Sequence, residues 1–140
     1  MNEKKYKHQE TIDGYFSIDL DDDIVSKSRL FDLYSVDIDS DNLVHGIVAM
    51  MQTGSFDDCK ESSLKGLKDI VEGKYSVRLE KWENYDDPTY RQIQYYAWQS
   101  DSQVRVQCIH WASESEAWLE IIVQSTEIFE AIEKYYKQTL

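Results

Sequence analysis

Apolar and polar positions alternate with a period of two over most of the chain and with a period near 3.6 over two stretches, and these two periods set the predicted elements. Tyr15 to Leu20, Arg29 to Ile38 and Leu43 to Gln52 read as strands, the first two separated by the acidic turn Asp21-Asp22-Asp23. Ser55 offers a helix cap, Asp57 and Asp58 sit where carboxylates meet the positive end of the helix dipole, and Leu64, Leu67 and Val71 follow at helical spacing. Gly73 is the predicted end of that helix. Past it the period returns to two, giving strands over Tyr75 to Glu83, Tyr90 to Gln99, Gln103 to Trp111 and Glu116 to Val123. Their links, Asp86-Asp87-Pro88, Ser100-Asp101-Ser102 and Ser113-Glu114-Ser115, are of hairpin length, which makes the four strands an antiparallel meander. Ser125 or Thr126 caps a last helix with Ile128, Phe129, Ile132, Tyr135 and Tyr136 on its apolar side. The expected architecture is α+β: a single antiparallel sheet of six to seven strands with helices packed on it.

Following side chains across the meander separates two faces. Val77, Leu79, Ile93, Tyr95, Val104, Val106, Cys108, Leu119 and Ile121 fall on one, which reads as the core under the helices. The other carries Gln92, Gln94, Gln107, Arg105 and Glu120 together with all four tryptophans, Trp82, Trp98, Trp111 and Trp118. Tryptophan among Arg and Gln is the composition of a binding hot spot, because it joins a large apolar area to a polar handle. A second, smaller core covered by other segments is the competing expectation.

With 140 residues, five glycines and one proline, the chain has no stretch resembling an interdomain linker. It is expected to form one domain, residues 1–140, with 1–10 a mobile N-terminal segment. Basic residues at the amino terminus are followed by Gln9-Glu10-Thr11-Ile12-Asp13 instead of an apolar stretch, so no signal peptide is read there. No apolar run approaches the roughly 20 residues that span a bilayer. Cys59 and Cys108 lie far apart without zinc-type spacing, which points to a reducing, cytoplasmic setting.

The formal net charge is -12. Phosphate backbones and anionic membranes would be repelled, so neither nucleic acid nor membrane is an expected partner, and a cationic protein is the natural complement. The excess is uneven: residues 10–58 hold 12 acidic and 2 basic side chains. Asp19, Asp21, Asp22, Asp23, Asp37, Asp39 and Asp41 are expected at strand ends, where their field would speed encounter with a basic partner. An acidic surface that serves solubility alone is the plainer alternative.

No catalytic residue, metal ligand or cofactor is expected. Asp37-x-Asp39-x-Asp41 has the alternating carboxylates of a calcium loop, but Asn42 stands where the loop needs glycine and Val48 where it needs glutamate. Cys108 and His110 share one side of a strand, a thiol-imidazole pair in principle, yet they continue the stripe begun by Val104 and Val106. His45, in the largely apolar stretch from Leu43 to Met51, reads as a satisfied or edge histidine.

The element order, with Gly14-Tyr15-Phe16-Ser17-Ile18 near the start and Trp118-Leu119-Glu120-Ile121-Ile122-Val123-Gln124-Ser125 before the last helix, resembles the PsbP-like fold and its bacterial DcrB-like members. Asp21-Asp22-Asp23-Ile24-Val25 replaces the proline and tryptophan that often follow the first strand of that group. The resemblance implies an α/β/α sandwich and, for bacterial relatives, a binding role, as in toxin immunity proteins and type VI secretion effector chaperones. The expected function is a cytoplasmic immunity protein that neutralises a cationic toxin, such as a nuclease. A chaperone that holds apolar helices of a secreted effector, and a small enzyme using Cys108 and His110, are the alternatives. The oligomeric state is not legible.

Overall fold

The computed structural model describes residues 7–12, 14–19 and 31–139, with side chains described for 14–18 and 31–134. Eight strands form one antiparallel sheet: β1 (Lys7–Ile12), β2 (Tyr15–Asp19), β3 (Leu33–Asp39), β4 (Val44–Gln52), β5 (Glu80–Asn84), β6 (Tyr90–Gln99), β7 (Ser102–Trp111) and β8 (Trp118–Ser125). Their spatial order, β1-β2-β3-β4-β8-β7-β6-β5, joins two four-strand meanders along β4 and β8. The predicted seven strands are thus joined by an eighth, because residues 7–12, expected to belong largely to a mobile terminus, pair with β2.

Helix α1, residues 56–75, carries the chain from the middle of the sheet to its far edge. Its α-helical pieces Phe56–Asp58 and Leu64–Tyr75 flank one π-helical turn, Cys59–Ser63. Ser55 caps it as expected: the Asp58 N–H donates to the serine Oγ at 3.1 Å. Leu64, Leu67 and Val71 fall on one side of the helix and bury against Ile93, Val104, Val106 and Leu119 of the sheet. A side chain such as Leu64, with no surface left exposed, stabilises the fold by about 2 to 3 kcal/mol.

The helix ends later than Gly73. It runs to Tyr75, and Ser76 takes the left-handed conformation (φ 53°) with its N–H bonded to the Glu72 carbonyl. The Glu72 carboxylate then accepts the Leu79 N–H at 2.9 Å and the Lys68 ammonium at 3.0 Å. These bonds use up residues 76–79 as a connection, so the strand predicted from Tyr75 begins at Glu80. The strand predicted from Arg29 begins, within the described residues, at Leu33.

Helix α2 (Thr126–Thr139) is capped by Ser125, whose Oγ accepts the Ile128 N–H at 3.2 Å. Its position departs from a core shared under both helices and agrees with the expected α/β/α layering. Phe129 meets Trp98 edge to face at 4.8 Å, which puts α2 on the tryptophan-bearing side, opposite α1. The molecule therefore has three layers, helix, sheet and helix. Among the described residues no helix is long and apolar enough to cross a membrane.

Candidate functional site

The tryptophan-bearing face is built in rows that the strand register fixes. Trp82, Gln94, Gln107 and Glu120 stand side by side across β5, β6, β7 and β8, and the neighbouring row runs Glu80, Tyr96, Arg105, Ile122. Gln92 Nε2 donates to Gln107 Oε1 at 2.7 Å, and Gln107 Nε2 donates in turn to the Glu120 carboxylate in a short bond. Gln103, Gln107 and Gln124 are buried, so this face is enclosed like a core yet assembled from amides. Burial raises the Glu120 carboxyl above its ordinary range, opposed by the Gln107 bond and the Arg105 charge. Burial likewise lowers Arg105, opposed by Glu120.

All four tryptophans lie on this face, but in two separate places. Trp82 and Trp98, 42% and 48% exposed, flank a cleft near α2. Trp111 and Trp118 stand at the opposite end of the strands, beside the β5–β6 and β7–β8 loops. There Trp111 packs on Tyr90 at 5.4 Å, and the Trp118 indole N–H donates to the Glu114 carboxylate at 2.6 Å.

Sequence reasoning missed the charge gathered at that second end. Glu83, Asp86, Asp87, Glu114 and Glu116 come from two hairpin links and the strand end beside them, and no sequence window contains them all. Asp87 accepts the Thr89 hydroxyl and, at 2.8 Å, the Thr89 N–H, which together lower its carboxyl, and Glu83 accepts the Tyr85 hydroxyl at 2.8 Å. The Tyr85 hydroxyl is pushed up to about 12 by its partial burial and by Glu83. The Arg91 guanidinium lies over the Phe56 ring at 4.8 Å, and the Lys81 ammonium is 3.5 Å from Glu83.

The predicted aspartates fare differently. Asp21, Asp22 and Asp23 lie outside the described residues, and of Asp19 only the backbone, at the end of β2, is described. Asp37 is a correction: it is buried in the middle of the β2–β3–β4 pairing, bonded to Ser17, because Gly46 opposite leaves room for its carboxylate. Asp39 also turns to local work, accepting the Asp41 and Leu43 N–H groups at 2.8 and 3.1 Å. Asp41 is exposed. No group of three metal-ligating side chains occurs among the described residues.

Asp39 also holds His45, and this network was not foreseen. Asp39 Oδ2 accepts from His45 Nε2 at 2.7 Å, and these bonds hold the Asp39 carboxyl below the usual carboxylate range. With its proton on Nε2, the ring accepts the Ser125 hydroxyl at Nδ1, 2.9 Å away. Ser125 Oγ is meanwhile the acceptor for the Ile128 N–H at the start of α2. The serine oxygen is thus committed to capping, and the three residues act as a clamp between the β3–β4 turn and α2. Ser125 lies 80 positions from His45, beyond any local pattern.

Cys59 and Cys108 form a disulfide that ties the π turn of α1 to β7. The Cys108–His110 thiol-imidazole pair therefore does not exist in this structure. His110 instead meets Arg91 at 3.3 Å and the Glu114 carbonyl at 2.9 Å. The inference of a reducing compartment from unpaired cysteines loses its basis with the bond. The chain matches no protein-family model, no curated protein and no solved structure.

Proposed function

We propose that the protein is a non-enzymatic binding domain that captures a cationic protein, as an immunity protein captures a basic toxin domain. The supporting observation is the acidic, aromatic end of the sheet, where Asp86, Asp87, Glu114 and Glu116 lie in the two loops beside Trp111, and Glu83 accepts the hydroxyl of the exposed Tyr85 on the α1 side. Carboxylates there would draw lysines and arginines in and stand where phosphates stand on a nuclease's own substrate, while the rings supply contact area once the partner is seated. Asp41 and the aspartates of residues 19–23 would add to the long-range field.

A nuclease partner would place this binding in the cytoplasm. The Cys59–Cys108 bridge goes better with an oxidising compartment, and the redox state of the two thiols in protein taken directly from cells distinguishes the two.

One observation favours the effector-chaperone reading. Leu43, Val44 and Ile47 are 62%, 59% and 50% exposed and form an apolar strip at the β3–β4 hairpin that could hold an apolar helix. Binding to the toxin domain encoded beside this chain separates the readings. On the first, replacing Asp86, Asp87, Glu114 and Glu116 together by Asn or Gln slows association at least about tenfold at low salt, and the difference shrinks as salt rises. No complex at micromolar concentration, or association indifferent to both charge and salt, would sink it.

A further inference from the structure

On the α2 side of the sheet, a cleft of about 450 Å³ opens between β5, β6, β7 and the first turns of α2. That is the size of many small-molecule sites, roughly 300 to 1,000 Å³. Its walls are aromatic: Trp82, Tyr96 and Trp98 rise from the sheet and Phe129 descends from α2. Arg105 lies in its floor.

Arg105 is what sets this cleft apart from a gap left by imperfect packing. The side chain is largely buried, yet no carboxylate lies within 4 Å of its guanidinium among the described residues. Among the described residues Nη1 donates to Gln103 Oε1 at 3.2 Å and the buried Nε has no partner. Glu120, the acidic group whose charge it feels, is bonded to Gln107. A guanidinium is a planar fork of five donors that matches a carboxylate with two parallel bonds, and a buried fork left unpaired is costly. We propose that the cleft binds a small aromatic monocarboxylate, its carboxylate on Arg105 and its ring against Trp98 and Phe129.

The surrounding charge selects the monoanion. Glu133 stands at the rim, Glu120 lies beneath, and the chain as a whole is strongly acidic, so a second negative charge on the ligand meets repulsion with no second cation among the described lining residues to offset it. A phosphate monoester is disfavoured on that ground. Gln94 and Gln103 offer amides to polar substituents on the ring. The cleft centres on Arg105 and α2, whereas Asp86, Asp87, Glu114 and Glu116 lie in the loops beyond the other end of the strands, so either can fail without the other.

The experiment is an NMR titration of the full-length protein with indole-3-acetate, phenylacetate, phenylacetamide and inorganic phosphate. Saturable shifts of the Arg105 Nε–H and the Trp82 and Trp98 indole resonances are expected with the two carboxylates, while Trp111 stays still. Phenylacetamide should bind at least about tenfold more weakly, the loss expected for a charge-assisted bond. Trp98→Ala and Arg105→Gln should each weaken phenylacetate, and the acid-against-amide comparison on the parent protein keeps the test valid if Arg105→Gln fails to fold. Equal binding of acid and amide, tighter binding of phosphate, or no saturable shift up to about 10 mM would overturn the proposal.

Discussion

Asp37 shows how one residue's neighbours decide what its charge does. A Cβ on Gly46 would sit 2.8 Å from the Asp37 carboxylate, so the absence of a side chain at 46 is what admits a carboxylate between β3 and β4. Burial then raises the Asp37 carboxyl above the usual range, more than the Ser17 bond lowers it. The unfolded chain gives up this proton at lower pH than the folded one, so the residue favours folding least above its folded pKa and costs nothing below the ordinary carboxylate range. Asp37→Asn is therefore expected to gain stability relative to the parent as pH rises from about 4 to 8, read as a rise in the variant-minus-parent difference in urea midpoints whatever its value at low pH. A variant-minus-parent difference that falls over that range would mean the carboxylate is welcome where it stands. Asp39, two residues on, has the opposite sign. His45 and the turn N–H groups favour its ionised form, so its contribution is present above the ordinary carboxylate range and fades as pH falls.

Elements inherit such local decisions, and the end of α1 is the clearest case. Ser76 adopts a left-handed backbone that glycine takes more readily, with the helix-ending bond to Glu72 in place. Ser76→Gly is expected to stabilise the protein by about 0.5 to 1 kcal/mol, measured by chemical denaturation; a loss would show that serine is better suited to this turn. The same site shows what the sequence could reveal. Leu64, Leu67 and Val71 repeat at helical spacing, Ser55 and Ser125 are standard caps, and the last three hairpin links are short, so both helices and the meander were legible from neighbouring residues. The true end of α1 was not, since it depends on the Glu72 carboxylate reaching Leu79. Strand β1 was missed because its residues, Lys7 to Ile12, are mostly polar and gain their strand character by pairing with β2. That the amides share a face could be read from alternation alone, whereas the rows they form depend on the strand register. The acidic end could not, because Asp86 and Asp87 in one loop and Glu114 and Glu116 in another come together only in the fold.

At the scale of the whole molecule, the layers divide the work. The α1 side is an apolar core fastened by the Cys59–Cys108 bond, the α2 side is polar, partly covered and carries the cleft, and the acidic end lies in the loops between them. The bond spans a sequence separation of 49, for which the lost freedom of the unfolded chain corresponds to about 4 kcal/mol. Replacing both cysteines by alanine should lower unfolding stability by that order, measured in urea, and a reducing agent should then change the parent but not the variant. No difference between them would mean that the bond does not form in solution. The bond also closes a covalent ring that contains most of α1, β5, β6 and most of β7, with the exposed loop between β5 and β6 inside it. A protease that cuts that loop would leave two fragments still joined, running as one species until the disulfide is reduced, so an intact band on a non-reducing gel is no proof of an uncut chain.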